Sequence, residues 1–307
     1  MFNMSKLTSL GQLSADLVDL VQTCLPKVCT VYPMVRSQKF ASGSGWAYGS
    51  DLVVTNNHVA DGTTHELMIR SQKYGEVRAE LVGTDYDTDL AVLRLVDLQM
   101  ATFEVRALPP RVGELCVTLG TPLGDRHQDS VSLGVVSGTG RQVPKSETTK
   151  FEEVVQIDAL INQGNSGGPL IDADGQVIGV NFAGHVRDGT STGINYAISS
   201  EVVRDIIPEL IEHGRISRGS IGISISARTR KIDDRFVSCL QVVQTASNDS
   251  PLKPGDYITW VNGKSVHRRY DLMRLLNRSV IGQDVRLQIE RSGKRMEVEV
   301  RVSARNN

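Results

Sequence analysis

Gly164-Asn165-Ser166-Gly167-Gly168-Pro169-Leu170 stands between an apolar run ending at Ile161 and the strand-like Val177-Ile178-Gly179-Val180. Three glycines around one serine give up more backbone entropy on folding than other residues would, so a special local geometry is expected in return. A tight loop with its amide N–H groups turned inward fits that expectation. Such a loop would hold a developing oxyanion beside the Ser166 hydroxyl. An ordinary hairpin turn is the plain alternative, and it needs no chemistry.

A serine hydroxyl is a weak nucleophile and needs a base within reach, itself oriented by a third group. His58 is the best placed of the six histidines. It follows the apolar Leu52-Val53-Val54 at the strand-to-loop transition Thr55-Asn56-Asn57-His58-Val59, where a ring can face a cleft. His65, His127, His185, His213 and His267 fall in polar loops or helix ends. The carboxylate candidate is Asp89, directly before the apolar Leu90-Ala91-Val92-Leu93, because an acid at the mouth of a buried run must be paired. Asp85 and Asp87 read as turn residues. The chain order His58, Asp89, Ser166 separates two hydrolase frameworks. In an α/β-hydrolase the serine sits on a strand-to-helix elbow and precedes its acid and histidine. Here Ser166 leads into a strand and the turn Asp172-Ala173-Asp174-Gly175, and the base lies upstream, as in the chymotrypsin order.

Length and composition agree with an ordinary globular protein of two domains: 307 residues, 40% hydrophobic, 22% charged and 28 glycines. The net charge of -1 conceals an asymmetry. Residues 1–217 hold 17 Lys+Arg against 26 Asp+Glu, a net of -9, and residues 218–307 hold 17 against 9, a net of +8. Opposite halves of this kind favour docking of one on the other, or draw an anionic group to the second. No zinc spacing or RNA-binding signature accompanies the basic half, so nucleic acid is not expected as a partner. Cys24, Cys29, Cys116 and Cys239 are scattered without a Cys-x-x-Cys pair, against both a disulfide framework and a metal site. The first twenty residues lack the continuous apolar core of a signal peptide, and no stretch is long enough for a membrane span. A cytoplasmic location is expected, or a periplasmic or otherwise exported one if a leader has been removed.

Along the chain, Ser14 reads as the N-cap of a short helix ended by Pro26. From Val28 onward come short runs bounded by Gly, Asn or Asp: Val28–Val31, Leu52–Thr55, Leu67–Arg70, Val77–Val82, Leu90–Leu95, Leu115–Leu119, Ser130–Ser137, Val154–Asp158, Leu170–Ile171, Val177–Phe182 and Ile194–Ala197. That spacing predicts an antiparallel barrel or sandwich. Ser200 reads as the cap of a helix over Glu201–Glu212, kinked or divided at Pro208. Gly214–Gly219 reads as a linker. Beyond it, strands are predicted at Ile221–Ser226, Phe236–Val243, Tyr257–Val261, Val285–Glu290 and Met296–Val302, with a helix over Tyr270–Asn277. Asn262-Gly263 suits a two-residue hairpin turn.

Nearly the whole chain, from about residue 12 to 303, resembles the HtrA (high-temperature-requirement, Deg-type) family of serine proteases. The matching residues are Gly43-Ser44-Gly45, Thr55-Asn56-Asn57-His58-Val59, Thr88-Asp89-Leu90-Ala91-Val92-Leu93, Gly120-Thr121-Pro122-Leu123-Gly124, Asp158-Ala159, Gly164 to Leu170, Pro254-Gly255-Asp256-Tyr257-Ile258 and Val261-Asn262-Gly263-Lys264. The resemblance implies a mostly β chain, with a trypsin-like double six-stranded antiparallel β-barrel followed by a small α+β PDZ domain. The expected division is an N-terminal helical segment (1–27), a protease domain (28–213), a linker (214–219) and a PDZ domain (220–303).

The same resemblance implies roles. Ser166 would be the nucleophile, His58 the general base and then acid, and Asp89 the group that orients the imidazole. Backbone N–H groups of Gly164, Asn165 and Ser166 would line the oxyanion hole, those of Gly164 and Ser166 foremost. Asn181-Phe182-Ala183 would pair with the substrate main chain, and Leu160 would floor the pocket for the residue before the cut, suiting a small or medium aliphatic side chain. The bland reading of Leu160 is a barrel core residue. Ser220-Ile221-Gly222-Ile223 would hold a peptide C-terminal carboxylate, with Leu272, Leu275 and Leu276 on the other groove wall. The implied function is ATP-independent cleavage of unfolded or misfolded polypeptide by a homotrimer or a multiple of it, with contacts in Leu13–Val31 and no metal or organic cofactor. Two departures stand out: Gln163 replaces the family's usual proline, which frees the loop before the oxyanion hole, and Arg36–Ser42 is shorter than the regulatory loop of some relatives. Two rivals remain, a binding or chaperone module resting in a closed state and an esterase of another fold.

Overall fold

A computed structural model of the chain describes residues 10–35, 38–39, 43–60, 66–121, 130–145, 150–162, 164–187, 190–232 and 235–305. Gln163, Pro122-Leu123-Gly124, His65, His127 and most of Arg36–Ser42 lie outside the described residues. The chain divides into two compact units, Met1–Arg215 and Ile216–Asn307.

In the first unit the elements run α1 (Leu10–Cys24), β1 (Val28–Val35), β2 (Gln38–Lys39), β3 (Gly43–Gly49), β4 (Leu52–Asn56), α2 (Asn57–Ala60), β5 (Glu66–Ser71), β6 (Gly75–Asp85) and β7 (Leu90–Leu95). A second group follows: β8 (Leu115–Gly120), β9 (Ser130–Pro144), β10 (Lys150–Ile157), β11 (Pro169–Ile171), β12 (Val177–Arg187), β13 (Thr190–Ser199) and α3 (Ser200–His213). β1-β3-β4-β7-β6-β5 close into one antiparallel barrel through the β1–β5 pairing, with β2 added at its edge. β10-β13-β12-β11-β8-β9 close into another. Closure removes the unpaired edges that an open sheet would present. β5 alternates buried and outward residues at the strand period of two, so its side chains fill the first barrel from one face only. β7 is buried at Leu90, Ala91, Val92, Leu93 and Leu95, which places the residue just before it at the edge of a dry interior.

Several local expectations change. Helix α1 begins at Leu10, a turn ahead of Ser14, because the apolar spacing of Leu10, Leu13 and Leu17 already supports helix there. The cap of α3 is Ser199 rather than Ser200: Ser199 is extended and its hydroxyl accepts from the Val202 N–H, while the Ser200 hydroxyl is buried. Pro208 sits inside one continuous helix. That helix ends on Gly214 in the left-handed conformation, and the Gly214 carbonyl accepts from the Thr84 N–H at 3.3 Å. The approach is close. A Cβ at Gly83 would fall 2.6 Å from the Gly214 oxygen and 2.7 Å from its Cα, so a side chain there would push α3 off β6.

In the second unit β14 (Gly219–Ser220), β15 (Ile223–Ile232), β16 (Arg235–Thr245), β17 (Tyr257–Val261), β18 (Lys264–Ser265), α4 (Arg269–Asn277), β19 (Asp284–Arg291), β20 (Lys294–Arg301) and β21 (Ser303–Ala304) follow one another. The main sheet runs β15-β16-β17-β19-β20, and β18 pairs with β17. Asn262 (φ 47) and Gly263 (φ 75) make the tight β17–β18 turn. The strand predicted over Ile221–Ser226 is divided instead: Gly219–Ser220 pairs with Ser303–Ala304, Gly222 (φ 67) breaks the ladder, and pairing resumes at Ile223. Leu240, Ile258, Leu272, Leu276 and Leu287 fill the core. Arg291 reaches both oxygens of Asp256 at 2.7 Å and ties the Pro254-Gly255-Asp256 turn to the end of β19.

Candidate active site

Asp89 is the first fixed point. It has φ 59, a conformation that short polar side chains tolerate better than others do. The preceding turn imposes it: the Asp85 carboxylate accepts the Thr88 hydroxyl at 2.6 Å and the Thr88 N–H at 3.2 Å, and the Asp89 N–H reaches the Tyr86 carbonyl at 3.3 Å. The Asp89 carbonyl accepts from the Asn57 N–H and the Asn56 side-chain amide, each at 2.9 Å. Its carboxylate is then aimed at the first turn of α2. One oxygen accepts the His58 N–H at 2.9 Å, and the other lies 2.7 Å from His58 Nδ1. A carboxylate can only accept, so Nδ1 carries the hydrogen and Nε2 is left as the basic nitrogen. The two partners differ sharply in exposure, 7% for the Asp89 side chain and 51% for His58. The charge is held in a dry corner while the ring that must meet a substrate is open.

The serine loop is built from the other barrel. Gly164 (φ 100) and Gly167 (φ 86) take backbone conformations closed to most residues. The Gly168 N–H donates to the Asn165 carbonyl at 3.0 Å, the Gly167 N–H to the Asn181 carbonyl at 2.8 Å, and the Asn181 N–H to the Gly168 carbonyl at 2.9 Å. The first barrel then grips this loop through Ser44. Its N–H donates to the Ser166 carbonyl at 2.8 Å, its hydroxyl donates to the Gly164 carbonyl at 2.7 Å and accepts from the Thr121 N–H at 2.9 Å, and its carbonyl accepts the Thr55 hydroxyl at 2.7 Å. A Cβ at Gly167 would fall 2.1 Å from the Ser44 oxygen and 3.0 Å from the Asn56 nitrogen. One at Gly43 would meet Val59 at 2.5 Å and the Ser166 carbonyl at 3.0 Å. Ser166 therefore rests on the end of β4 and on α2, the elements that carry His58. Its hydroxyl donates to the Phe182 carbonyl at 3.2 Å rather than to the imidazole. Catalytic hydrogen bonds of this kind often tighten only in a complex.

The remaining expected residues divide. The Asn165 N–H donates to the Asn162 carbonyl at 3.0 Å and is engaged, whereas the N–H groups of Gly164 and Ser166 meet no acceptor among the described residues. The Asn181 N–H is engaged by the loop, and its side-chain amide reaches the Pro169 carbonyl at 3.2 Å. Phe182 buries its ring between Phe151 (4.5 Å between centroids) and Tyr196 (6.4 Å), and Ala183 pairs with Tyr196 across β13. Leu160 is 49% exposed, which overturns the core reading; neighbouring Ile161 belongs to the core of the second barrel. In the second unit Ile221 is buried in the core, the Gly222 N–H lies 3.2 Å from the Ser220 hydroxyl, and Ile223 opens β15, the terminal strand of its sheet. The thiols of Cys29 and Cys116 are pushed up to about 12 by burial, so neither is an alternative nucleophile.

Two supports of the site go unread in the sequence, Ser44 and the pair Asn56 and Asn57 behind Asp89, and so does the network around Glu114 just before β8. Glu114 accepts from Arg106 at 2.7 Å and from Arg111, and Arg106 also reaches Asp172 at 3.2 Å. Burial alone would raise the Glu114 carboxyl, but the two guanidiniums outweigh it and hold it at about 2. For Ser44 a signal existed: a lone hydroxyl between two glycines in a strand of buried neighbours.

Comparison with known proteins agrees with this fold and its two domains. The trypsin-like peptidase domain model matches residues 43–180, and the PDZ domain model matches residues 219–302. A probable periplasmic serine endoprotease, DegP-like, of Pseudomonas savastanoi pv. phaseolicola is 34% identical over 272 residues, covering 85% of this chain and 56% of the relative. The chain thus spans about half the length of the curated relatives it matches. Among solved structures, the HtrA-type protease AlgW with tripeptide superposes with a TM-score of 0.80 at 28% identity, over 94% of this chain and 97% of that one. The serine endoprotease from Yersinia pestis gives 0.69 at 26% identity, over 98% and 99%. The curated relatives are named periplasmic, so the cytoplasmic placement expected from the N-terminal sequence finds no support. Two closed barrels that carry an acid–imidazole pair and a glycine-framed serine, followed by a PDZ domain, make this chain a member of the HtrA-type serine proteases.

Proposed function

We propose that the chain is an ATP-independent serine endopeptidase acting on unfolded or misfolded polypeptide. The observation that carries this reading is the 2.7 Å contact between Asp89 and His58 Nδ1 on the corner where the Ser166 loop is seated. On substrate binding the Ser166 hydroxyl leaves Phe182 and donates to His58 Nε2. Its oxygen attacks the scissile carbonyl as the imidazole takes the proton, and Asp89 stabilises the imidazolium. The N–H groups of Gly164 and Ser166 hold the oxyanion. His58 then protonates the leaving amine, and water hydrolyses the acyl-enzyme by the same steps in reverse roles. No step calls for a nucleotide. The substrate must be extended to lie along Phe182 and Ala183, which suits unfolded chains, and Leu160 presents no counter-charge to the residue before the cut.

The division of labour follows: residues 28–215 as protease, since Gly214 closes α3 on β6, 216–218 as linker, and 219–303 as the peptide-binding domain, since Gly219 already pairs in β14, with C-termini held near Ser220, Ile221, Gly222 and Ile223 and laid along β15. Leu10, Leu13 and Val18 expose apolar surface on α1, which supports subunit contacts there in a trimer. The relatives' names support a periplasmic location. Labelling the full chain with a fluorophosphonate, beside casein degradation, tests the reading: reaction at Ser166 and loss of both signals in Ser166→Ala are expected. A second reading, a binding module with a resting site, is favoured by the Ser166 hydroxyl lying on the Phe182 carbonyl. A folded chain that never labels, even with C-terminal peptide added, would establish that second reading instead.

A further inference from the structure

We propose that Tyr86 and Phe151, the latter backed by the buried ring of Phe182, form a subsite for a cationic side chain of the substrate, on the acyl side of the bond to be cut, which Lys145 of the same chain occupies until substrate displaces it. The inference rests on the protease reading above. Lys145, just past the end of β9, places its ammonium 3.6 Å from the Tyr86 ring centroid and 5.0 Å from that of Phe151. It also donates to the Tyr86 carbonyl. The Phe151 and Phe182 rings adjoin at 4.5 Å between centroids, tilted by 53°. A cation over aromatic faces is attracted by their quadrupoles, most strongly where water is partly excluded.

The place of this cage gives it a function. Tyr86 lies in the turn that ends at Asp89, and Phe182 is the residue whose carbonyl accepts the Ser166 hydroxyl. The rings are thus bracketed by two members of the candidate triad, one from each barrel, and Lys145 reaches from the second barrel to the first. Tyr86 remains 65% exposed, so an incoming chain can reach it once Lys145 moves away. A substrate strand paired with Phe182 and Ala183 sends alternate side chains to the same side. With the residue before the cut assigned to Leu160 as above, the residues two and four positions before the cut fall on the opposite side, and these are the ones to test against the cage. The excess of acid in residues 1–217, net -9, favours a cation there over an anion. A purely structural latch would make the same contacts with Lys145 but would not exchange it for a substrate side chain.

The test uses the full chain and fluorogenic peptides with one aliphatic residue before the cut and lysine, norleucine or glutamate at the second or fourth position before it. Lysine should exceed norleucine by about 2-fold to 30-fold in kcat/KM at one of these positions, carried mainly by KM. In Lys145→Met the preference should grow, since the resident competitor is gone, and in Tyr86→Leu it should vanish. The rate of fluorophosphonate labelling reports whether each variant is folded. Equal rates for lysine and norleucine in both the parent chain and Lys145→Met would overturn the subsite alone. No cleavage of any peptide and no labelling would overturn the protease reading and the subsite with it.

Discussion

The two halves of the candidate site are made differently. The acid–imidazole corner is assembled inside the first barrel, where the Asp85–Thr88 turn sets Asp89, and Asn56, Asn57 and the His58 N–H hold it from one short stretch of chain. The nucleophile loop is not self-sufficient. Its glycines permit the conformation, but Ser44, from 120 residues earlier in the chain, fixes the Gly164 carbonyl. The first half draws all of these supports from within one barrel. The second depends on how well the two barrels are joined, and its serine hydroxyl is the group resting on a partner other than the base.

The harshest test of this contrast is Ser166→Ala, which should lower turnover by about 10⁶ while leaving the His58–Asp89 pair intact. Casein cleavage surviving that change would mean that the loop does not carry the nucleophile. Asp89→Asn comes next. Asparagine tolerates the positive φ, so the fold should persist, but the imidazole loses the acceptor that sets its tautomer, and kcat should drop by about 10⁴. A smaller loss would show that the corner is less tightly specified than its hydrogen bonds suggest. Ser44→Ala touches only the cross-barrel tether. It should cut kcat by about tenfold to hundredfold with little change in KM, as expected when a loop is misplaced rather than a donor removed. If KM rather than kcat moves, Ser44 acts on substrate binding and not on the loop.

The smallest effect concerns acid stability of the second barrel. The Glu114 carboxyl is held at about 2, below its value in an unfolded chain, so its stabilising contribution is complete above roughly pH 4.5 and is lost as pH falls toward 2. Thermal melts between these limits should show a shallower pH dependence in Glu114→Gln than in the parent chain. Unchanged slopes would remove Glu114 from the acid-sensitive supports of the second barrel.

Much of the first half could be read from the chain itself, for a physical reason. Apolar runs such as Leu90–Leu95 mark buried strands, and an acid at the mouth of one must find a partner nearby. The supports of the second half were illegible because they join residues far apart in sequence. The glycines on either side of Ser44 mark it as a special position, but they do not name its partner, the Gly164 carbonyl in the other barrel. Edges were misjudged where polar residues continue a strand: β9 runs to Pro144 rather than Ser137 because its outer half is exposed and needs no apolar alternation. Adjacent serines 199 and 200 offer the same capping group, and only backbone direction decides between them. The Lys145 contacts with Tyr86 and Phe151 likewise arise from tertiary approach, with no pattern along the chain.

The bare approach of Gly83 to Gly214 has an engineering consequence. Helix α3 is seated on β6 at a spot with room for hydrogen and nothing larger. Any replacement of Gly83, even by alanine, would wedge the helix away from the strand that runs into the Asp85–Asp89 turn, so position 83 is one to leave untouched in engineered variants.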